Sequence, residues 1–151
     1  MPTPDLLPEE SPDAEDFFTS WLQPMMRAGT EHKQTDGYPF AVVQYISGSD
    51  DPFTGVEDGV VQVDFFDTAR SGMVAAQAAK ITARDGHRRI MYLAKHLSDV
   101  TMSDGSTANC DYIATTLKPT RMEYADEKVV RYVARYQVGL SYTTHIEFDN
   151  S

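Results

Sequence analysis

The stretch "VVRYVARYQVGLSY" (129–142) constrains the fold more than any other part of the chain. Every second residue falls on one of two faces. Val130, Tyr132, Ala134, Tyr136, Val138, Leu140 and Tyr142 share one, and Val129, Arg131, Val133, Arg135, Gln137, Gly139 and Ser141 share the other. Alternation sustained this far specifies a β-strand well beyond the usual length of about 5–6 residues. A strand of that length needs partners along it, so the chain must build a sheet that the strand spans, overhanging its hairpin partner. The Tyr/Val face reads as core. The Arg131/Arg135 face, interleaved with Val129 and Val133, reads either as a solvated strand face or as a seam between subunits.

A chain of 151 residues, 41% of them hydrophobic, is long enough for one domain with a real core. No apolar run approaches the roughly 20 residues of a membrane span. The N-terminus is acidic and Pro-rich, with no basic-then-apolar leader pattern. A single cysteine, Cys110, excludes an internal disulfide and most zinc sites, so folding in a reducing cytoplasm is expected.

Thirteen basic against 23 acidic residues give a net charge of −10, which argues against general nucleic-acid binding. The charge is segregated. Residues 1–16 and 47–67 each hold six acids and no base, whereas residues 69–97 hold six bases against one acid, Asp85.

The prolines of residues 1–10 suggest an unstructured arm. Ser11-Pro12 reads as the N-cap and first position of a helix carrying Ala14, Phe17, Phe18, Trp21, Leu22 and Met25 on one stripe, which Pro24 kinks or ends. A polar loop (30–38) follows. "PFAVVQYIS" (39–47) and "VVQVDFF" (60–66) read as strands, separated by a turn-rich loop at 48–59 that exposes Phe53. Residues 67–99 read as one long helix, capped by Asp67 or Thr68. Its stripe of Gly72, Ala76, Ala79, Ala83, Gly86, Ile90, Leu93 and Leu97 runs in phase through a soft point at Asp85-Gly86. Asp104-Gly105 predicts a hairpin between a short strand at 100–102 and a longer one at 107–117 that Pro119 breaks. A strand near 120–125 and a turn at 125–128 lead into the final strand.

The expected fold is therefore α+β: a mostly antiparallel sheet with one long helix packed across it and a short N-terminal helix. Residues 1–12 form a flexible acidic arm, 13–146 the domain, and 147–151 a frayed tail.

Motifs for chemistry are missing. The sequence contains no G-x-S-x-G, no Walker-type loop, no G-x-G-x-x-G and no H-E-x-x-H. His87-Arg88-Arg89 invites an anion-binding reading, but lies mid-helix and not at an amide-rich N-terminus, so a solvated basic face is the plainer one. Asp50, Asp51, Glu57 and Asp58 lack the alternation around a central Gly of a calcium loop. Cys110 shares an apolar face with Tyr112 and Ala114 and reads as a buried, inert thiol. No catalytic residue, cofactor or metal is expected.

Several segments together resemble a known family. A Trp-Leu-x-Pro N-terminal helix precedes "YPFAVVQYI". Then come "VVQVDFFD", a long Ala-rich helix ending "HRRIMYLAKHLSDV", "DGSTANCDYI", and finally "RYVARYQVGLSY". In order and spacing, over roughly residues 13–144, this resembles the tail terminator proteins of siphophages, in the form found in actinobacteriophages. The resemblance implies a non-enzymatic virion protein in the neck region of the tail, assembled in the host cytoplasm. Its copies would form a homo-oligomeric ring, typically a hexamer, on the head-proximal end of the tail tube. That ring would end polymerisation of the major tail tube protein and dock the head–tail connector protein. DNA would pass through its lumen without specific binding, and no membrane is involved. The acidic arm at 1–16 and the 48–59 loop depart from the pattern.

A ring needs two unlike patches that meet. The expected ones are the acidic segment of Asp50, Asp51, Phe53, Glu57 and Asp58 and the basic helix of Arg84, Arg88 and Arg89, with Arg131 and Arg135 as a second possible seam. Two alternatives remain open from sequence. One is another head–tail connector, neck or minor tail protein. The other is a cellular small-ligand-binding α+β module, which would need a pocket of convergent polar groups.

Overall fold

The computed structural model describes residues 3–144. The arm before the first helix is tied down at its end, since β1 (Glu9–Glu10) pairs antiparallel with β9 (Thr143–Thr144). Residues 3–8 are exposed and outside regular structure. Helix α1 (Ala14–Leu22) is capped by Asp13 instead of Ser11. The Asp13 carboxylate accepts from the backbone N–H of Glu15 and Asp16 at 2.9 and 3.2 Å, satisfying two otherwise orphaned donors. Its stripe buries Ala14, Phe17, Phe18, Trp21 and Leu22 as expected. Beyond the helix Met26 turns inward and Met25 stays exposed.

The main sheet has the order β2-β3-β4-β8-β7. These strands are β2 (Arg27–Gly29), β3 (Phe40–Asp51), β4 (Val56–Thr68), β7 (Tyr112–Met122) and β8 (Val129–Ser141). Four are antiparallel to their neighbours, but β2 runs parallel to β3, so the sheet is mixed. β2 escaped the sequence reading because three residues carry no period.

The expected 48–59 loop is instead largely strand. β3 and β4 continue as a hairpin arm whose turn is only Pro52–Gly55, and β8 follows β4 out to the pair Val56↔Ser141. Acid- and Gly-rich composition disguised strands whose ladder is completed by the length of β8. That strand overhangs β7, which reaches only from Tyr112↔Gly139 to Met122↔Arg131. Pro119 does not break β7. The strand lies at the sheet edge, where a missing N–H is tolerated, and shifts register there and at Thr115/Leu117. The Asp104-Gly105 hairpin forms between β5 (Val100–Thr101) and β6 (Thr107–Ala108).

Helix α2 (Ala75–His96) is shorter than the expected 67–99. Asp67 and Thr68 end β4, and Val74 is an N-cap without a side-chain bond. Asp67 has a different task. Fully buried, it accepts from Thr82 Oγ1 (2.8 Å) and pairs with Arg70 (2.9 Å), tying the strand end to the helix. The helix is continuous through Gly86, and a Cβ there would lie 2.3 Å from Phe65 Cε1. Gly86 is thus the place where a sheet phenylalanine meets the helix backbone. Gly72 lies before the helix, and Leu97, at its left-handed C-cap, is exposed.

Helix α2 touches β4, β7 and β8, and α1 touches β3. Between helices and sheet lies the core of Phe17, Phe18, Leu22, Val43, Val61, Val63, Phe65, Ile90, Leu93, Tyr136, Val138 and Leu140. The Tyr/Val face of β8 is core up to Leu140. Tyr142 lies past the strand end and is half-buried. The tail expected to fray, from His145 onward, lies outside the described residues.

Candidate interaction surfaces

Two unlike surfaces emerge. The first is the hairpin arm, which brings Asp50, Asp51, Glu57 and Asp58 together around a turn whose Phe53 is 97% exposed. Three tyrosines brace it. Tyr45 lies along the cross-strand pair Gly48↔Gly59; a Cβ at Gly59 would come within 2.7 Å of its ring. Tyr112 lies over Gly139 and donates its hydroxyl to Asp58 at 2.5 Å. Tyr142 donates its hydroxyl to Asp50 (2.7 Å) and its backbone N–H to Gly55 O (2.8 Å), at the turn. Glycine weakens a strand unless something fills its place, and here aromatic rings do.

The arm's ionisable groups register this crowding. Hydrogen bonding to a carboxylate pushes Tyr112 and Tyr142 up to about 12, because the bond needs the protonated phenol. Burial, then Asp50 and Asp13, push Glu57 above the usual carboxylate range, against an opposing hydrogen bond from Ser11. Tyr45 is raised by burial and by Glu57 and Asp50.

The second surface is the outer side of α2, where Lys80, Arg84, Arg88 and Lys95 are exposed. Among the described residues the only ion pair here is Arg88–Asp85 at 3.8 Å, both groups open to water and of little energetic weight. The His87-Arg88-Arg89 triplet does not act together. His87 turns inward to the Tyr136 hydroxyl (2.7 Å), and burial, then Lys118, lowers its pKa. Arg89 lies over the Trp21 ring at 3.7 Å and donates to Trp21 O (2.9 Å), while Trp21 Nε1 donates back to Arg89 O (2.7 Å). Only Arg88 faces solvent squarely.

Arg131 and Arg135 lie on the sheet face away from α2 and are engaged within their own chain. Arg131 pairs with the buried Asp64 at 2.9 Å. Gln62 donates to Asp64 (2.8 Å) and accepts from Arg135 (3.0 Å). Phe40, Val42, Phe66 and Val129 are buried on the same face beside Tyr38. The semi-apolar character read from sequence thus has a local cause: the arginines cover their neighbours' apolar and acidic groups.

Cys110 is buried, and burial pushes its thiol to about 11, which makes it a poor nucleophile. Among the described residues no cluster of His, Cys, Asp or Glu is placed to hold a metal, and no helix is long and apolar enough to cross a membrane. The sequence reading missed Tyr45, Tyr112 and Tyr142. For Tyr45 and Tyr112 the signal is the placement of Gly48, Gly59 and Gly139 inside strands, where an aromatic neighbour is needed; Tyr142 leaves no such signal.

No protein-family model matches the sequence, and no curated protein matches it.

Proposed function

We propose that this chain is a structural virion protein whose copies close into a ring on the head-proximal end of a siphophage tail tube. The ring, a hexamer in the family pattern, ends tube polymerisation and offers the docking surface for the head connector. It carries no catalysis and needs no cofactor. In this reading the long helix lies across one face of the sheet and turns its basic side outward. A net charge of −10 keeps DNA from sticking as it passes through the lumen. Assembly takes place in the host cytoplasm, and the protein ends in the neck of the virion.

The observation that carries the reading is the presence on one chain of a braced acidic arm and of an exposed basic helix face whose one ion pair among the described residues is the open Arg88–Asp85 contact. Two complementary but different surfaces join copies head to tail, and such contacts close into rings when the rotation permits. Their charges set register and encounter rate more than raw affinity.

The test is an extension assay with the tail-tube protein. Added to growing tubes, this protein should halt elongation and cap one end. Tubes that lengthen unchanged while the protein binds the head connector would overturn the terminator reading in favour of another neck protein.

A further inference from the structure

We propose that Phe53 is the knob of the subunit contact and that its socket is the aromatic shelf around Tyr92 on a second copy of this chain. This rests on the ring reading above and adds the two residues that meet. Phe53 is 97% exposed, yet the arm that holds it is fixed by Tyr45, Tyr112 and Tyr142. A large apolar ring held out rigidly in water gains free energy when a partner covers it, and little entropy is lost because the arm is already ordered. Its near-complete exposure also means that it does not occupy the shelf of its own chain.

The shelf is equally well braced. Tyr92 is 54% exposed on α2, stacks on Trp21 (centroids 6.2 Å apart, 21° between planes) and lies 4.2 Å from the His96 ring. Trp21 is itself held by Arg89. The surroundings of knob and shelf are of opposite sign. Arg88 and Lys95 stand four residues before and three after Tyr92, which places them beside it on the helix surface. Asp50 and Asp51 stand three and two residues before Phe53. Ring on ring, with acids beside bases, joins two different surfaces and therefore propagates head to tail.

The test combines cross-linking with truncation. In a Phe53→Cys, Tyr92→Cys double variant, oxidation should give a disulfide-linked ladder of dimers, trimers and larger species up to the closed ring. Either single variant should give none, and buried Cys110 contributes no background. Phe53→Ala removes almost no contact among the described residues. The variant should stay folded while its assembly midpoint moves at least about tenfold higher in concentration, and Phe53→Tyr should restore assembly. Intact rings that neither cross-link nor respond to Phe53→Ala would overturn this contact and leave the ring reading standing. Oxidised monomer without a ladder would overturn it in favour of a contact within one chain. Wild-type protein that stays monomeric both free and on tube ends would remove the ring reading, and the contact with it.

Discussion

Gly86 concentrates two opposed effects at one residue. Alanine is the better helix former by about 1 kcal/mol. Its Cβ would nevertheless arrive 2.3 Å from Phe65 Cε1, and both residues are buried. Overpacking of that kind costs about 1–3 kcal/mol. Gly86→Ala is therefore expected to lower stability, read as a lower urea midpoint at unchanged slope; a raised midpoint would show that Phe65 moves aside freely. Glu57 makes a residue-scale prediction in pH. Its carboxyl is raised in the folded state, so the folded chain holds the proton at pH values where the unfolded chain has released it. Stability from this group is present below the ordinary glutamate value of 4.5 and is lost as pH rises through the raised one. Glu57→Gln should accordingly raise the thermal midpoint at pH 7, with the gain shrinking as pH falls toward 4.5. His87 has the opposite sign. Its depressed pKa means that the stability it contributes is lost as pH falls below its ordinary 6.5.

At the scale of elements, the hairpin arm is the feature whose stability is least obvious. Its strands are polar, yet β8 completes the ladder, Tyr45 and Tyr112 fill the places that glycines leave open, and Tyr142 ties the turn by hydrogen bonds. Gly59→Ala should displace the Tyr45 ring and loosen the arm without touching the core. Amide exchange across residues 48–58 should accelerate by about fivefold, as expected for a local loss of about 1 kcal/mol, while exchange in α2 stays the same. Equal acceleration in both would show that the arm and the core open as one unit. The sequence made legible whatever repeats with a period. The alternation of β8 gave its length and its buried face, and the apolar stripes located α1 and the second half of α2. Contacts made by single residues were not legible. Asp67 looked like a helix cap because it precedes the helix, but tertiary bonds to Thr82 and Arg70 claim it. Arg89 looked like part of a basic face, but Trp21, far away in sequence, holds it. The 48–59 segment looked like loop because a ladder completed by a distant strand leaves no local trace.

For the whole molecule, the proposed ring requires the acidic arm and the basic helix face to act between copies. Two adjacent arginines separate assembly from folding. Arg88→Glu should leave the thermal midpoint nearly unchanged, since that side chain is exposed, and should weaken oligomerisation in sedimentation. Arg89→Glu should instead lose about 1–3 kcal/mol of fold stability, because it strips the cation from Trp21 and breaks a side-chain hydrogen bond. Equal effects of the two on assembly, with neither altering stability, would contradict the roles given to them. Whether copies of this chain close into a ring is read from native mass measured together with negative-stain imaging, on the protein alone and on tail tubes. A closed ring with a central hole, six copies in the family pattern, is expected at least at the tube end; single copies under both conditions would rule the ring out.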